Sequence, residues 1–429
     1  MLNVERSTWV AESDADEARK YRRRWWTLAV LAVSLLIIII DDTIINVAIP
    51  TLQRELGTSA AGLQWIVDSF ILAFAGLLLT MGTLGDRFGR RRFLQLGLLV
   101  FGASSLYGAY AGSTAQLVLT RALMGVGGAM IMPSTLSVLI DVFPREERVK
   151  AIGIWTGVAG AGIPLGPVAA GWLLERYWWG SVFLLNIPIV LVALAAGWFL
   201  LPESRHPSPP RPDLAGMGLS TASLAALVYA IIELPPAGWS SGKVLGGFAA
   251  ALLAGAAFLV HERRVSEPML DLELFRNPRL GWGTAAMTLA ALALAGLAFN
   301  LSQFLQFAQG YTPLQAGLRF LPIAAGFGVA GPLSQKLVGR FGSARTIAAG
   351  LGVGALMSAA MAQVDPGTTY WFSGIVSFLF GLGIGAAFVP STDAVRPPFR
   401  RRTRGWARPS TTLPARWAPR SASGSWVRS

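Results

Sequence analysis

The sequence predicts an all-α integral membrane protein, and three properties support this fold class. Of the 429 residues, 53% are hydrophobic and 14% are charged, whereas soluble domains carry about 25% charged residues. The mean hydropathy is +0.52. Apolar segments of about 20 residues, the length that crosses a bilayer as a helix, follow one another along most of the chain. There is no cysteine, which excludes disulfides and thiolate metal sites.

Twelve apolar segments are long enough to be membrane spans. The 48 glycines suit them, because small residues let membrane helices approach closely. The predicted spans are 27–49, 63–81, 93–111, 116–136, 149–172, 181–201, 214–232, 244–261, 280–301, 314–333, 346–364 and 370–390.

The distribution of positive charge predicts the orientation of these spans. Arg22, Arg23 and Arg24 directly precede the first span, and the polar segment before them lacks the apolar core of a secretory signal. With the N-terminus in the cytoplasm, the cytoplasmic connections hold sixteen lysines and arginines and the outer connections hold four. Positive residues favour the cytoplasmic side. We therefore expect a multi-pass protein of the cytoplasmic (inner) membrane with a cytoplasmic N-terminus.

A short charged connection, GTLGDRFGRRR, lies between the second and third spans at 82–92. Its glycines allow a tight turn, and its four arginines favour an anionic cytoplasmic membrane surface. The pattern Gly-x-Leu-x-Asp-Arg-x-Gly-Arg-Arg resembles the signature loop between helices 2 and 3 of major facilitator superfamily transporters. The resemblance implies that the loop is a conformational switch, with six residues as its candidates: Gly82, Asp86, Arg87, Gly89, Arg90 and Arg91.

Few ionisable residues lie inside the spans, and such residues are functional candidates because they are costly there. Asp41 lies about 13 Å from the outer end of its span, and Asp68 and Arg121 each lie about 8 Å from theirs. All three occupy the outer half of the bilayer, where they could meet around one cavity and couple proton uptake to transport. A static ion pair that holds helices together is the alternative. The adjacent Asp42 could simply reach polar lipid or a neighbouring helix.

Two stretches around these residues resemble motifs of the fourteen-span drug:proton antiporters. Residues 41–50, DDTIINVAIP, resemble the first-span motif Leu-Asp-x-Thr-Ile-Val-Asn-Val-Ala-Leu-Pro. In this match Asp41 is the motif acid and Asp42 the variable position. Residues 121–129, RALMGVGGA, resemble the fourth-span motif, whose arginine is linked to proton transfer. We therefore predict proton coupling by Asp41, Asp68 and Arg121.

The fifth span resembles the antiporter signature Gly-x8-Gly-x3-Gly-Pro-x-x-Gly-Gly, with Ala170 in place of one glycine. Glycines at such spacings form a flat face for helix contact, and a proline supplies a bend. Helix packing alone explains this pattern, and it is compatible with the pivot role that the family resemblance implies. The matching residues are Gly153, Gly162, Gly166, Pro167 and Gly171.

The resemblance also predicts the domain organisation: a major facilitator fold of two six-helix halves with two inserted helices, in which spans 13 and 14 are missing. The proline-rich connection PESRHPSPPRPD separates the first half from the rest. The predicted parts are a cytoplasmic segment 1–26, a six-helix bundle 27–201, a linker 202–213, an inserted helix pair 214–261, a cytoplasmic loop 262–279, an incomplete C-terminal bundle 280–394 and a basic tail 395–429.

The tail differs in composition from all that precedes it. It holds nine arginines and five prolines and has no acidic residue, so no span is expected there. One interpretation is a disordered basic tail that binds anionic lipid. The other, which we favour, is a translated frameshift that replaces spans 13 and 14. Without the tail the net charge of +13 falls to +4, so nucleic acid is not an expected partner.

The leading functional hypothesis is a secondary transporter that exports drugs or antibiotics in exchange for protons by alternating access. Its expected partners are protons, small amphipathic or cationic substrates and membrane lipid, without a cofactor or metal. A truncated, inactive membrane protein is the alternative, and the span-5 pattern disfavours an uptake permease. The sequence has no constellation typical of an enzyme. A stripe of Gln303, Gln306 and Gln309 is interpreted as the wet outer end of the ninth span rather than a substrate contact.

Overall fold

The computed structural model describes residues 2–204, 212–265, 268, 277–365 and 367–395, and these residues form an all-helical protein, as predicted. A π-helical segment, Phe304–Ala308, continues α10. The α-helices in chain order are α1 (Leu2–Leu56), α2 (Ala60–Phe88), α3 (Arg90–Ala109), α4 (Thr114–Val142), α5 (Arg145–Arg176), α6 (Ser181–Leu184), α7 (Asn186–Leu200), α8 (Leu214–Ala237), α9 (Gly242–Glu262), α10 (Pro278–Gln303), α11 (Pro313–Leu318), α12 (Leu321–Phe341), α13 (Ser343–Met361) and α14 (Tyr370–Val395).

Eleven helical segments in the described part of the chain are long and apolar enough to cross a membrane. They coincide with eleven of the twelve predicted spans. The third predicted span, 93–111, forms the helix α3, but arginines fill the first turn of α3 and lower the hydropathy of the whole helix. Its membrane crossing therefore stays a prediction. The sixth predicted span comprises α6 and α7, and the tenth comprises α11 and α12; each pair still forms one segment of membrane length.

The helices of the first half pack through small residues. Gly127 of α4 lies against α3 so closely that a Cβ there would come within 2.8 Å of the Phe101 backbone nitrogen. Phe101 is itself fully buried, and its ring meets the Phe70 ring of α2 edge to face at 6.5 Å. This packing fixes the positions of α2, α3 and α4 around a shared core.

The inserted helices α8 and α9 pack against each other, and α8 packs against α2. The Trp65 and Tyr229 rings lie 6.4 Å apart, between α2 and α8. Asp213 caps α8 by accepting a 2.8 Å hydrogen bond from the Gly216 amide, and it also lies 2.9 Å from the His261 Nε2 at the end of α9. Described contacts therefore attach the inserted pair to the first half.

The two halves contact each other at one end of the bundle, which we call the far end and define by the loops 57–59 and 177–180. There α11 packs on α5, and the Gln306 amide donates to the Val47 carbonyl at 3.0 Å. The Gln309 side-chain amide donates a hydrogen bond to the Thr368 carbonyl at 3.3 Å. The glutamine stripe thus lies at the predicted end of the span, but two of its members make protein contacts there.

Several predicted parts lie partly or wholly outside the described residues. They are the basic tail from residue 396 onward and much of the linker 202–213 and the loop 262–279. The domain boundaries and the frameshift therefore stay predictions.

Candidate transport site

The centre of the first half holds a buried ion pair between α1 and α4. The Arg121 Nη1 donates to the Asp41 Oδ2, and neither side chain is exposed. Asn186, at the start of α7, donates to the other Asp41 oxygen at 2.8 Å and to the Ser105 hydroxyl of α3 at 3.0 Å. Both Asp41 oxygens are thus satisfied by protein groups, as buried carboxylates require.

The arginine has a second set of neighbours on α2. Its Nε donates to the Ile66 carbonyl at 3.3 Å, and its guanidinium carbon lies 4.5 Å from the centre of the Phe70 ring. Its Nη2 has no hydrogen-bond partner among the described residues. Arg121 therefore has one strong contact, with Asp41, and weaker contacts that would remain if that one were lost.

Sequence reasoning paired Asp41 with Arg121 correctly in space but missed the residues that complete the site. Asn186 and Ser105 were not singled out, although Asn186 is a lone amide near the start of an apolar span. That amide was the available signal, because polar groups in a membrane helix need partners. Phe70 carried no such signal, since an aromatic residue in an apolar span is ordinary.

The other acid of the prediction, Asp68, lies apart from this pair. Asp68 is two residues beyond Ile66, so it projects about 160° around α2 from the residue whose carbonyl meets Arg121. Asp68 forms no hydrogen bond or ion pair with any described residue. The structure therefore joins Asp41 to Arg121 without Asp68. No contact among the described residues brings Asp68 together with Asp41 and Arg121 around one cavity.

The charged turn at 82–92 is held by an ion pair and by hydrogen bonds to neighbouring helices. Asp86 and Arg90 form an ion pair at 2.7 Å, and Arg90 also reaches the Ser137 carbonyl of α4 at 3.5 Å. Gly89 separates α2 from α3 with φ at 113°, a conformation that favours glycine. Arg91 donates to the Trp198 carbonyl at 2.6 Å. The turn therefore links α2, α3, α4 and α7.

The two remaining candidates of the turn have weaker contacts. A Cβ at Gly82 would meet the Pro133 Cβ at 3.4 Å, which is ordinary contact. Arg87 is exposed and forms no ion pair with the described residues.

The glycines of α5 contact different partners along the helix. A Cβ at Gly162 would come within 2.9 Å of Leu36 on α1, and one at Gly166 would overlap Thr43. A Cβ at Gly171 would lie 2.5 Å from the Leu314 Cα on α11, while Gly153 has nothing within 4 Å. The Pro167 carbonyl lies against Gly317 of α11, where a Cβ would overlap it. The middle of α5 thus packs on α1 and its end packs on the second half.

A cavity of about 570 Å³ lies between residues 157–164 of α5 and residues 321–328 of α12. This volume is within the range of small-molecule pockets. The lining residues are small or apolar: Gly157, Gly160, Ala161, Ile163, Pro164, Leu321, Ala324, Ala325, Phe327 and Gly328.

Comparison of the sequence with known proteins identifies the family of this chain. A sequence profile described as Major Facilitator Superfamily matches residues 31–406. The chain belongs to the Major Facilitator Superfamily. As a major facilitator protein with eleven apolar helices of membrane length in its described part, it is a multi-pass membrane transporter.

Named relatives of this major facilitator protein are resistance and export proteins. The tetracenomycin C resistance and export protein of Streptomyces glaucescens is 36% identical over 87% of this chain and 70% of that protein. The multidrug efflux pump LfrA of Mycolicibacterium smegmatis is 40% identical, over 79% of this chain and 68% of the pump. The puromycin resistance protein pur8 of Streptomyces alboniger is 36% identical, over 86% and 74%.

Solved structures agree on the major facilitator fold. The POT family transporter PepTSo matches with a TM-score of 0.64 at 16% identity, over 87% of this chain and 83% of that one. A bacterial homologue of the human lysosomal transporter Spinster, in an inward-facing and unoccupied conformation, matches with a TM-score of 0.59 at 20% identity, over 87% and 75%. At these identities the likeness shows the fold alone.

Proposed function

We propose that this transporter exports drugs or antibiotics from the cytoplasm in exchange for protons, by alternating access in the cytoplasmic membrane. The observation that carries the proposal is the buried Asp41–Arg121 pair, whose three direct supporting contacts come from α2 and α7. Ionisable groups buried within a membrane protein are costly and mark ion or proton pathways. The N-terminus is on the cytoplasmic side in this proposal, as the positive charges of the connections favour.

The proton acts on the contact between α1 and α4. A proton on an Asp41 oxygen removes the negative charge that holds Arg121. The guanidinium then keeps only the Ile66 carbonyl and the Phe70 ring, both on α2. Loss of the α1–α4 ion pair changes the relative stability of two arrangements of these helices, which is the requirement for coupling protonation to a conformational change.

The contacts at the two ends of the bundle support alternating access. At the far end α5 packs on α11, and Glu175 accepts a 3.3 Å hydrogen bond from the Leu314 amide. At the opposite end, Arg24 and Glu147 pair at 2.7 Å within the first half. In the proposed orientation the far end is the outer side, so the contact between α5 and α11 closes the transporter to the outside.

Named relatives resist or export drugs and antibiotics, which supports small amphipathic or cationic substrates.

The test replaces Asp41 and measures export driven by an imposed pH gradient in inverted membrane vesicles, with ethidium as the transported dye. Asp41→Asn should reduce pH-driven export at least about tenfold, because the variant carries no titratable group at this position. Export at the wild-type rate would contradict proton coupling through Asp41.

A second variant separates loss of coupling from loss of fold. Asp41→Asn alone leaves Arg121 buried without its partner, which costs about 3–5 kcal/mol. The double variant Asp41→Asn with Arg121→Gln removes both charges and so avoids this penalty. We expect it to be stable in the membrane and still uncoupled. A stable double variant that retains pH-driven export would show that the pair is only structural.

A further inference from the structure

Arg319 is a half-buried arginine without a carboxylate partner in the described part of the chain. It lies at the junction of α11 and α12, inside the segment of membrane length that begins at Pro313. Its Nη1 donates to the Gln315 carbonyl at 3.0 Å. Its Nε is buried, and no described residue accepts a hydrogen bond from it. The charge of Arg319 is therefore not neutralised by these protein groups, which is costly at a membrane depth.

Two tyrosine rings orient the Arg319 guanidinium. Its carbon lies 3.5 Å from the centre of the Tyr311 ring and 4.8 Å from the centre of the Tyr370 ring, at the start of α14. The face of an aromatic ring attracts a cation, but it carries no net negative charge. The planar fork of an arginine matches the oxygens of a phosphate group. The tyrosines therefore hold in place a cation that can still bind a phosphate.

The Tyr370 ring also lines an apolar groove of the second half. This groove has a volume of about 260 Å³ and lies between Pro322 of α12 and the first turns of α14, where Phe378 forms part of its wall. Trp371 and Ile375 line it as well, and they are 77% and 57% exposed. Apolar side chains so exposed on a helix of membrane length indicate a face that contacts lipid. Tyrosine and tryptophan favour the level of the lipid headgroups.

We propose that Arg319 and this groove bind an anionic phospholipid of the leaflet at the far end. The phosphate pairs with the guanidinium beside Tyr370, and an acyl chain occupies the groove. Tyr370 contacts the cation and lines the groove, so one amphipathic molecule satisfies both parts, whereas a soluble anion satisfies only the first. A headgroup without an amine is preferred, because an amine competes with Arg319 for the phosphate charge. The bound lipid bridges α12 and α14.

Lipid titration of the purified, delipidated full chain, followed by native mass spectrometry, tests this site without requiring transport. The probes are phosphatidylglycerol, which is anionic, and phosphatidylcholine with the same acyl chains, which is zwitterionic. The wild type should bind phosphatidylglycerol at least about fivefold more tightly. Arg319→Gln should bring the two affinities within about twofold of each other. Arg319→Lys keeps the charge and should bind phosphatidylglycerol more tightly than Arg319→Gln does.

Two further variants serve as matched controls. Arg176→Gln removes another arginine at the far end, one that stacks on Trp172, and should keep the preference for phosphatidylglycerol. Gly374→Leu places a side chain in the groove beside the Tyr370 ring, and should weaken binding of both lipids at least about fivefold. Gly352→Leu, on α13, should weaken neither, because a Cβ there meets nothing within 4 Å.

Four outcomes would overturn the inference. The first is equal affinity of the wild type for the two lipids. The second is an unchanged preference in Arg319→Gln, or an equal loss in Arg176→Gln, which indicates a general effect of positive charge. The third is equal lipid binding by Gly374→Leu and Gly352→Leu, a comparison that decides the matter even if Arg319→Gln does not fold. The fourth is displacement of the lipid by the same concentration of soluble glycerophosphoglycerol, which assigns the site to a free anion.

Discussion

Closure of the far end depends on the absence of a side chain at Gly171, and replacing this glycine by alanine tests the dependence. The added Cβ would lie 2.5 Å from the Leu314 Cα and 2.6 Å from the Pro313 oxygen, whereas ordinary contact begins at 3.4 Å. All of these neighbours are backbone atoms, so no side chain can rotate away. Helices α5 and α11 would therefore have to separate by close to 1 Å.

The energetic consequence follows from the cost of overpacking. Inserting a methyl group into a tight contact costs about 1–3 kcal/mol, and here the closed state alone bears this cost. The ratio of closed to open molecules should then fall about 5- to 150-fold. The hydrogen bond from the Leu314 amide to Glu175 is expected to weaken at the same time, because it spans the same contact.

Labelling of a single cysteine measures the change. The chain has no cysteine of its own, and Ala316 on α11 is completely buried. In an Ala316→Cys background, Gly171→Ala should increase the rate of modification by a membrane-impermeant maleimide at least about fivefold. Gly153→Ala is the matched control, because Gly153 lies on the same helix with nothing within 4 Å. An unchanged rate in Gly171→Ala, or an equal rise in Gly153→Ala, would refute the reasoning.

Two further predictions concern other parts of the protein. Asp86→Asn should lower the turnover number of export and leave KM nearly unchanged, because the Asp86–Arg90 pair links helices at the end opposite the closure; a raised KM at normal turnover would argue against this role. Burial alone would raise the pKa of Asp213, but hydrogen bonds from the Gly216 amide and His261, together with the His261 charge, hold it below its usual value. A lowered pKa stabilises the fold above the unfolded-state pKa, so thermal stability in detergent should fall below about pH 4, and Asp213→Asn should flatten that decline. A decline as steep in the variant would assign the acid sensitivity to other groups.

The sequence by itself determined the membrane class, the positions of nearly all helices and the family. These properties depend on composition over long stretches, since about 20 apolar residues in a bilayer must satisfy their backbone groups as a helix wherever the rest of the protein lies. The turn at Gly89 was also readable, because its glycine and charges act within a few residues of one another. The helix ends at 184 and 318 were not predicted, because each lies within a segment long enough to be a single span.

Only the tertiary structure decided which intramembrane charges meet. Asp41, Asp68 and Arg121 all lie in the outer half of their spans, so depth in the membrane did not distinguish between them. Their rotation about the helix axes did: Arg121 faces Asp41, and Asp68 projects about 160° around α2 from Ile66. Close contacts between residues far apart in the chain set these rotations: Gly166 packs against Thr43 of α1, and Gly125 of α4 packs against the Phe70 backbone of α2. Sequence patterns within one span cannot contain this information, because a helix can turn about its own axis without changing its sequence, its length or its depth.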